Sequence, residues 1–263
     1  MALGCVWIIG IGEVDGVAQT VAAQLKPYGL AIEGQKWPIG EKQAWLASAD
    51  AAAAQAAHVV IVIASKSDYD HSNTRRELAF FRLALQTQLG KPVAGFVILT
   101  DAPEPGSSPT ANTQFSILGD WEVISGGNWA AKVVARFHAP RQPKWPVKLG
   151  LIAREKLGVW LTVSPLPNQS AKGCLVGVSG NEADISFHAV GPVGGLPETS
   201  INEYELKGIE FEAGGQPFKA WALQNTIGPE QAYYVRLEGE PSVIAVGQLP
   251  SGQVDGVDLI TVA

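Results

Sequence analysis

The sequence predicts a doubly wound α/β domain with a parallel five-stranded sheet, followed by a β-rich sandwich or barrel domain. Three observations carry this reading. Before residue 138, continuous apolar runs alternate with helical stripes, the pattern of strands buried on both faces between covering helices. Pro140, Pro143 and Pro146 then fall close together, and proline fixes φ and removes a donor, so the segment reads as a stiff extended linker. Beyond it, short alternating segments are punctuated by Gly and Pro. The division is 1–138 for the α/β domain, 139–148 for the linker and 149–263 for the β-rich domain.

The first domain is read element by element. Cys5 to Ile11 is an apolar run that suits a central strand. Val17, Val21 and Leu25 mark a helical stripe that Pro27 and Gly29 close. Leu30 to Ile32 is a short second strand, and Ala44 to Ala57 an alanine-driven helix. Val59 to Ile63 is the clearest parallel strand. Leu78, Phe81, Leu85 and Leu89 stripe the next helix, Val93 to Leu99 is another strand, Trp121 to Ile124 a weaker one, and Trp129 to Phe137 the closing helix. The Pro-rich connection Ala102 to Thr113 is expected to carry an irregular helix or a loop.

In the second half, Val159–Val163, Cys174–Val178, Asp184–Val190, Glu205–Glu212, Phe218–Leu223, Tyr233–Leu237, Val243–Val246 and Val257–Val262 read as strands of an antiparallel sandwich or barrel. The basic residues of the linker run on through Lys148, Arg154 and Lys156, a solvated stretch or a contact for an acidic surface.

Composition narrows the function classes. The 263 residues are 46% hydrophobic and 17% charged, with a formal net charge of −6, a balance that disfavours nucleic acid as a partner. Cys5 and Cys174 each sit inside an apolar run, as buried thiols in a reducing compartment do. No apolar run reaches the length of a membrane span and the start lacks a secretory pattern, so a cytoplasmic protein with no membrane partner is expected. His58, His71, His138 and His188 are scattered without metal-ligand spacing, so no metal site is expected. No Gly-x-Ser-x-Gly elbow is present.

In doubly wound sheets ligands bind beyond the carboxyl ends of the strands. The loops there are Gly10-Ile11-Gly12-Glu13 after the first strand, Gly34 to Gly40 with Trp37 and Pro38 after the second, and Ser65-Lys66-Ser67-Asp68-Tyr69 after the central one. Gly10, Gly12 and Gly16, with Glu33, loosely imitate a dinucleotide fingerprint, although such glycines more often only turn a strand into a helix. Trp37 either stacks on a flat ring or packs on its own domain. Ser65 and Tyr69 either meet a ribose or phosphate oxygen or merely hold the turn.

The order of these pieces resembles a Toll/interleukin-1 receptor (TIR) domain over residues 5–137. An apolar strand precedes Asp15 and a helix ending Leu25 to Gly29; Gly40 to Trp45 enters the next helix; Val59 to Ser65 is followed by Tyr69 and by Glu77-Leu78. The chain departs from the family at Gly10-Ile11-Gly12, where Ser-Tyr or Ser-His is usual, and at Thr74-Arg75-Arg76, where a Trp or Cys often precedes Glu-Leu. The resemblance implies a flavodoxin-like fold and a site formed by Gly10, Gly12, Glu13, Trp37, Gly40, Ser65 and Tyr69. It also implies a catalytic role for Glu77 in cleaving the nicotinamide–ribose bond of NAD, which would be a substrate with no further cofactor required. The alternative it implies is a non-catalytic module that associates with itself or another protein through this domain. A third reading makes the β-rich half the ligand binder and the α/β half its scaffold.

Glu77 has two readings. A carboxylate beside a ribose stabilises the positive charge that builds as an N-glycosidic bond breaks. Alternatively Thr74-Arg75-Arg76-Glu77 is a capping box, with Thr74 at the helix start and Glu77 reaching back to its N–H.

Overall fold

Cys5–Gly10 (β1) is buried along its whole length, as a strand covered on both faces must be. It pairs in parallel with Ala31–Lys36 (β2) on one side and Ala57–Ala64 (β3) on the other. Beyond β3 lie Ala94–Leu99 (β4) and, next to β4 in the sheet, Glu122–Val123 (β6); Phe115–Ser116 (β5), which precedes β6 in the chain, belongs to the second unit. The sheet is five-stranded, parallel throughout and ordered β2-β1-β3-β4-β6. This is the flavodoxin-like order, and it turns direction between β1 and β3. The computed structural model describes residues 5–38, 40–41, 43–101, 115–125, 128–249, 254 and 256–263. The expected connection Ala102 to Thr113 lies outside them.

Side-chain alternation puts Val6 and Ile8 of β1 and Val59, Ile61 and Ile63 of β3 on one face. Asp15–Leu25 (α1) and Trp129–His138 (α5) cover it with Val21, Leu25, Val133 and Phe137. Trp7 and Ile9 point the other way and are buried too. Ala44–Ala54 (α2) and Ser72–Leu89 (α4) pack on each other, with Trp45 edge-on to Phe80 at 5.6 Å. A five-residue helix, Lys66–Asp70 (α3), precedes α4. α2 ends three residues before the expected Ala57, because Ala56 takes φ 49 and Ala57 already belongs to β3.

The chain divides into two units, Met1–Pro109 with Leu118–Pro143, and Thr110–Ile117 with Lys144–Ala263. The second unit is a mixed sheet. Lys148–Arg154 (β7) and Gly158–Ser164 (β8) form a hairpin; Ala171–Pro192 (β9), Leu206–Ala213 (β10), Gln216–Ile227 (β11) and Gln231–Gly247 (β12) follow, then Asp258–Thr261 (β13). The path is β10-β11-β9-β12-β13-β5, with β8 joining β12 and β7 joining β8. The β5 residues Phe115 and Ser116 pair in parallel with Ile260 and Thr261.

Two features of this sheet differ from the sequence expectation. Lys148 to Arg154 is a strand rather than a continuation of the linker. Cys174–Val178 and Asp184–Val190 belong to one strand, β9. Breaks in register near Leu237, Glu240 and Val243 let β12 change partners: Tyr233–Leu237 pairs with β8, and Val243–Val246 with β13. Gly239 sits at the bend with φ 67, and a Cβ there would lie 2.0 Å from the Glu182 carbonyl oxygen. Glycine is thus required where the two long strands cross most closely.

Candidate functional site

The site predicted by the fold lies beyond Gly10 and Ala64, the last residues of β1 and β3. Backbone bonds knit the strand exits together there. Ile11 N–H donates to the Ile63 carbonyl (2.9 Å), Trp37 N–H to the Gly10 carbonyl (2.7 Å) and Thr100 N–H to the Ala64 carbonyl (2.9 Å). Gly10 lacks room for a side chain, since a Cβ would meet Val14 at 2.8 Å. Gly12 turns the chain with φ 77, and its Cβ position lies 3.4 Å from an Asp68 carboxylate oxygen. The loops after β1 and β3 therefore meet at Gly12 and Asp68.

Ser65 caps α3. Its Oγ accepts from the Asp68 N–H at 3.0 Å and donates to the Asp68 carboxylate at 2.7 Å. The Ser-x-x-Asp cap of this region is thus Ser65-Lys66-Ser67-Asp68, with Asp68 returning to the Ser65 hydroxyl. The sequence expectation placed that motif one helix too late. α4 starts at Ser72, with Arg75 N–H bonded to the His71 carbonyl at 3.0 Å. Thr74 is already inside the first turn and does not cap, and Glu77 stands well past the reach of an N-cap. The capping reading of Glu77 is thereby overturned. The signal was present at Ser65, where a Ser-x-x-Asp follows an apolar strand directly.

Glu77 is partly buried, and its Oε2 atom is closed off from solvent. It lies one helical turn, about 6 Å along the axis, before Phe81 on the same face. Phe81 meets Trp37 edge-on at 5.9 Å. Glu77 thus lies one turn nearer the start of α4 than Phe81.

The remaining expected residues fall in different surroundings. Trp37 is buried at 7% exposure and packs on its own domain. Tyr69 is buried, with the Arg75 guanidinium 5.2 Å from its ring centre, and burial pushes its phenol pKa upward. Gly40 is exposed with φ 84 and open space around it. Glu13 is held in solvent, 3.9 Å from Lys36 Nζ. Gly10, Gly12, Ser65 and Trp37 are thus tied into the strand exits, whereas Glu13 and Gly40 stand on the rim.

Sequence reasoning passed over several polar partners here. Lys36 Nζ lies 2.9 Å from Asp15, and this hydrogen bond, with the charges of Asp15 and Glu13, raises the lysine pKa. The Asp101 carboxylate accepts from the Lys66 N–H at 2.6 Å, and Lys66 Nζ pairs with Asp70. Both lysines are engaged by carboxylates. Among the described residues, no His, Cys, Asp and Glu group has the arrangement of a metal site. No helix among them is long and apolar enough to cross a membrane.

Comparison with protein families, with characterised proteins and with solved structures gives no match for this chain.

Proposed function

We propose that the α/β unit is a TIR-like nucleotide-binding domain that cleaves the N-glycosidic bond of NAD, with Glu77 as the carboxylate facing the ribose. The observation that carries this reading is the place of Glu77 in α4, past the cap and one turn before Phe81, which packs on Trp37 of the loop after β2. In the reaction the bond between ribose C1′ and the nicotinamide nitrogen breaks, and its electron pair leaves with the nitrogen. Nicotinamide departs neutral, positive charge builds at C1′, and water closes the reaction by bonding to C1′ and losing a proton to solvent. A fixed carboxylate beside C1′ lowers the barrier by stabilising that charge.

The test is release of free nicotinamide from NAD by the purified chain, measured by chromatography across a range of protein concentrations. Turnover is expected, with at least a hundredfold loss in Glu77→Gln, the order of one electrostatic stabiliser. No nicotinamide at any concentration, or equal rates in Glu77→Gln, ends the enzymatic reading.

One observation favours the non-catalytic alternative, a protein-interaction module. Ser65, Tyr69 and Trp37 are engaged in capping and packing within the unit. On that reading nucleotide leaves the melting temperature unchanged.

A further inference from the structure

In the β unit, the segment before β10 presents three large apolar side chains to solvent: Ile201 at 83%, Tyr204 at 80% and Leu206 at 43% exposure. It is nonetheless a built structure. Asn225 Nδ2 donates to the Ile201 carbonyl and Asn225 Oδ1 accepts from the Glu203 N–H, both at 2.8 Å. Gln224 N–H donates to the Glu203 carbonyl at 2.8 Å. Ser200 Oγ accepts from the Val190 N–H at 2.8 Å and donates to Asn202 Oδ1 at 2.6 Å, and Asn202 Nδ2 donates to Glu205 at 2.6 Å.

Tyr204 also sits at φ 46, a left-handed conformation that is strained for a bulky residue. A strained, hydrogen-bonded display of apolar groups, of which Ile201 and Tyr204 are mostly exposed, has the properties of a preorganised contact surface. Its exposed charges are acidic on balance: Glu198, Glu203 and Glu205 lie in solvent with one cation, Lys207, which is paired with Glu205 at 2.8 Å.

The same unit carries a patch of opposite charge. At the turn between β7 and β8, Leu157 is 50% exposed between exposed Arg154, Glu155 and Lys156 on one side and Gly158 on the other. The Leu157 carbonyl accepts from the Trp160 indole N–H at 2.8 Å, and Trp160 meets Phe187, itself 56% exposed, edge-on at 5.9 Å. Arg236 lies under this turn, its Nε 3.0 Å from the Cβ position of Gly158. One patch is apolar with an acidic fringe, the other apolar with a basic fringe.

We infer that the Ile201–Tyr204 surface docks onto the Leu157–Phe187 surface of a second copy of this chain, giving head-to-tail self-association through the β unit. Opposite fringes select the pairing and the apolar centres supply the affinity. The contact is heterologous, because the two faces differ, so a mixture of sizes is expected rather than one closed dimer.

Sedimentation velocity of the full chain tests this, with circular dichroism to confirm that each variant is folded. The sedimentation coefficient is expected to rise with concentration up to about 300 µM, the range of weak association. Tyr204→Ser with Ile201→Ser is expected to abolish the rise. Glu198→Lys with Glu203→Lys is expected to weaken association at least about tenfold. Adding Arg154→Glu and Lys156→Glu to that pair in the same chain is expected to restore it, because the fringes are again opposite. A single monomeric species throughout the range overturns the inference. So does association that ignores the Ile201 and Tyr204 changes, or a charge swap that fails to restore it.

Discussion

The imidazole of His188 is wedged against the hydroxyl of Tyr233, with Nδ1 and the phenolic oxygen 2.7 Å apart inside the β unit. The other ring nitrogen, Nε2, lies 3.1 Å from the Glu205 carboxylate, close but not aligned as a hydrogen bond. Trp221 closes the pocket edge-on at 4.8 Å, and Lys207 Nζ lies over that indole at 5.2 Å. The groups around His188 therefore come from β12, β10, β11 and the segment before β10. Cys174 of β9 is a neutral thiol there, its pKa pushed up to about 12 by burial.

This arrangement makes stability fall in acid. Burial pushes His188 below its usual 6.5, against the upward pull of Glu205. The folded chain thus holds a neutral ring that the unfolded chain would protonate. The stability from this group is complete above pH 6.5 and is lost as the pH falls below it. Glu205 adds a second, more acidic limb. Hydrogen bonds from Lys207 and Asn202, with the charges of His188 and Lys207, hold its carboxyl at about 2. Its contribution is present in full above pH 4.5 and is lost as the pH falls from there through about 2. Thermal melts between pH 8 and pH 5 should show a declining Tm for the wild type and a flatter curve for His188→Gln. Parallel curves would show that this histidine does not carry the acid limb.

Arg82 and Asp120 make an asymmetric ion pair in the α/β unit. Arg82 is 2% exposed, while the Asp120 side chain is 40% exposed. The pair is bidentate, with the second nitrogen 3.0 Å from Asp Oδ2, and the guanidinium lies 5.9 Å from the Trp121 ring centre. Removing Asp120 takes its carboxylate from a guanidinium that is 2% exposed, the costlier side of the pair to disturb. Removing Arg82 with a methionine leaves a carboxylate that water reaches. Chemical denaturation should therefore find Asp120→Ala more destabilising than Arg82→Met. The reverse order would mean that packing of the arginine stem, not its charge, dominates.

The parallel sheet was legible because its central strands are unbroken apolar runs, as in Val59 to Ile63; its flavodoxin-like character was implied by the family resemblance. The turns were harder. Gln55 and Ala56 carry no turn chemistry, so an alanine-rich helix appeared to run on into β3. The helix start at Ser72 was missed because His71 offers no side-chain cap, and Thr74 three residues before Glu77 imitated one. In the β unit, β9 looked like two strands because Gly180-Asn181-Glu182 reads as a turn, whereas those residues form the bend that pairs with β12. The site was legible as loops and not as partners. Asp68, Lys36 and Asp101 act through contacts between segments far apart in sequence, and no local period announces them.

Gly12 offers a direct check on the loop after β1. Its Cβ position is only at van der Waals distance from Asp68, so a methyl group there meets no severe clash. The cost of Gly12→Ala is then the φ of 77, about 1–2 kcal/mol. Denaturant titration should show a lower midpoint with an unchanged slope. If the loop also holds a nucleotide, the stabilisation of the protein by NAD should shrink by more than it does in Asp120→Ala, which is remote from the loop. Equal shrinkage in both variants would assign the effect to stability alone.

Tyr204 separates stability from association. A residue at φ 46 is strained unless it is glycine or asparagine, and this tyrosine buries almost none of its ring in return. Asparagine adopts the left-handed conformation readily and keeps the backbone hydrogen-bond pattern around it. Tyr204→Asn is therefore expected to raise the Tm of the dilute, monomeric chain, by about 0.5–1 kcal/mol of stability, the usual gain from relieving such a position. At high concentration the same variant should lose self-association, because the aromatic ring is gone. A variant that is less stable as well as monomeric would mean that the ring packs against its neighbours more than its exposure indicates, and the strain would then have no functional counterpart.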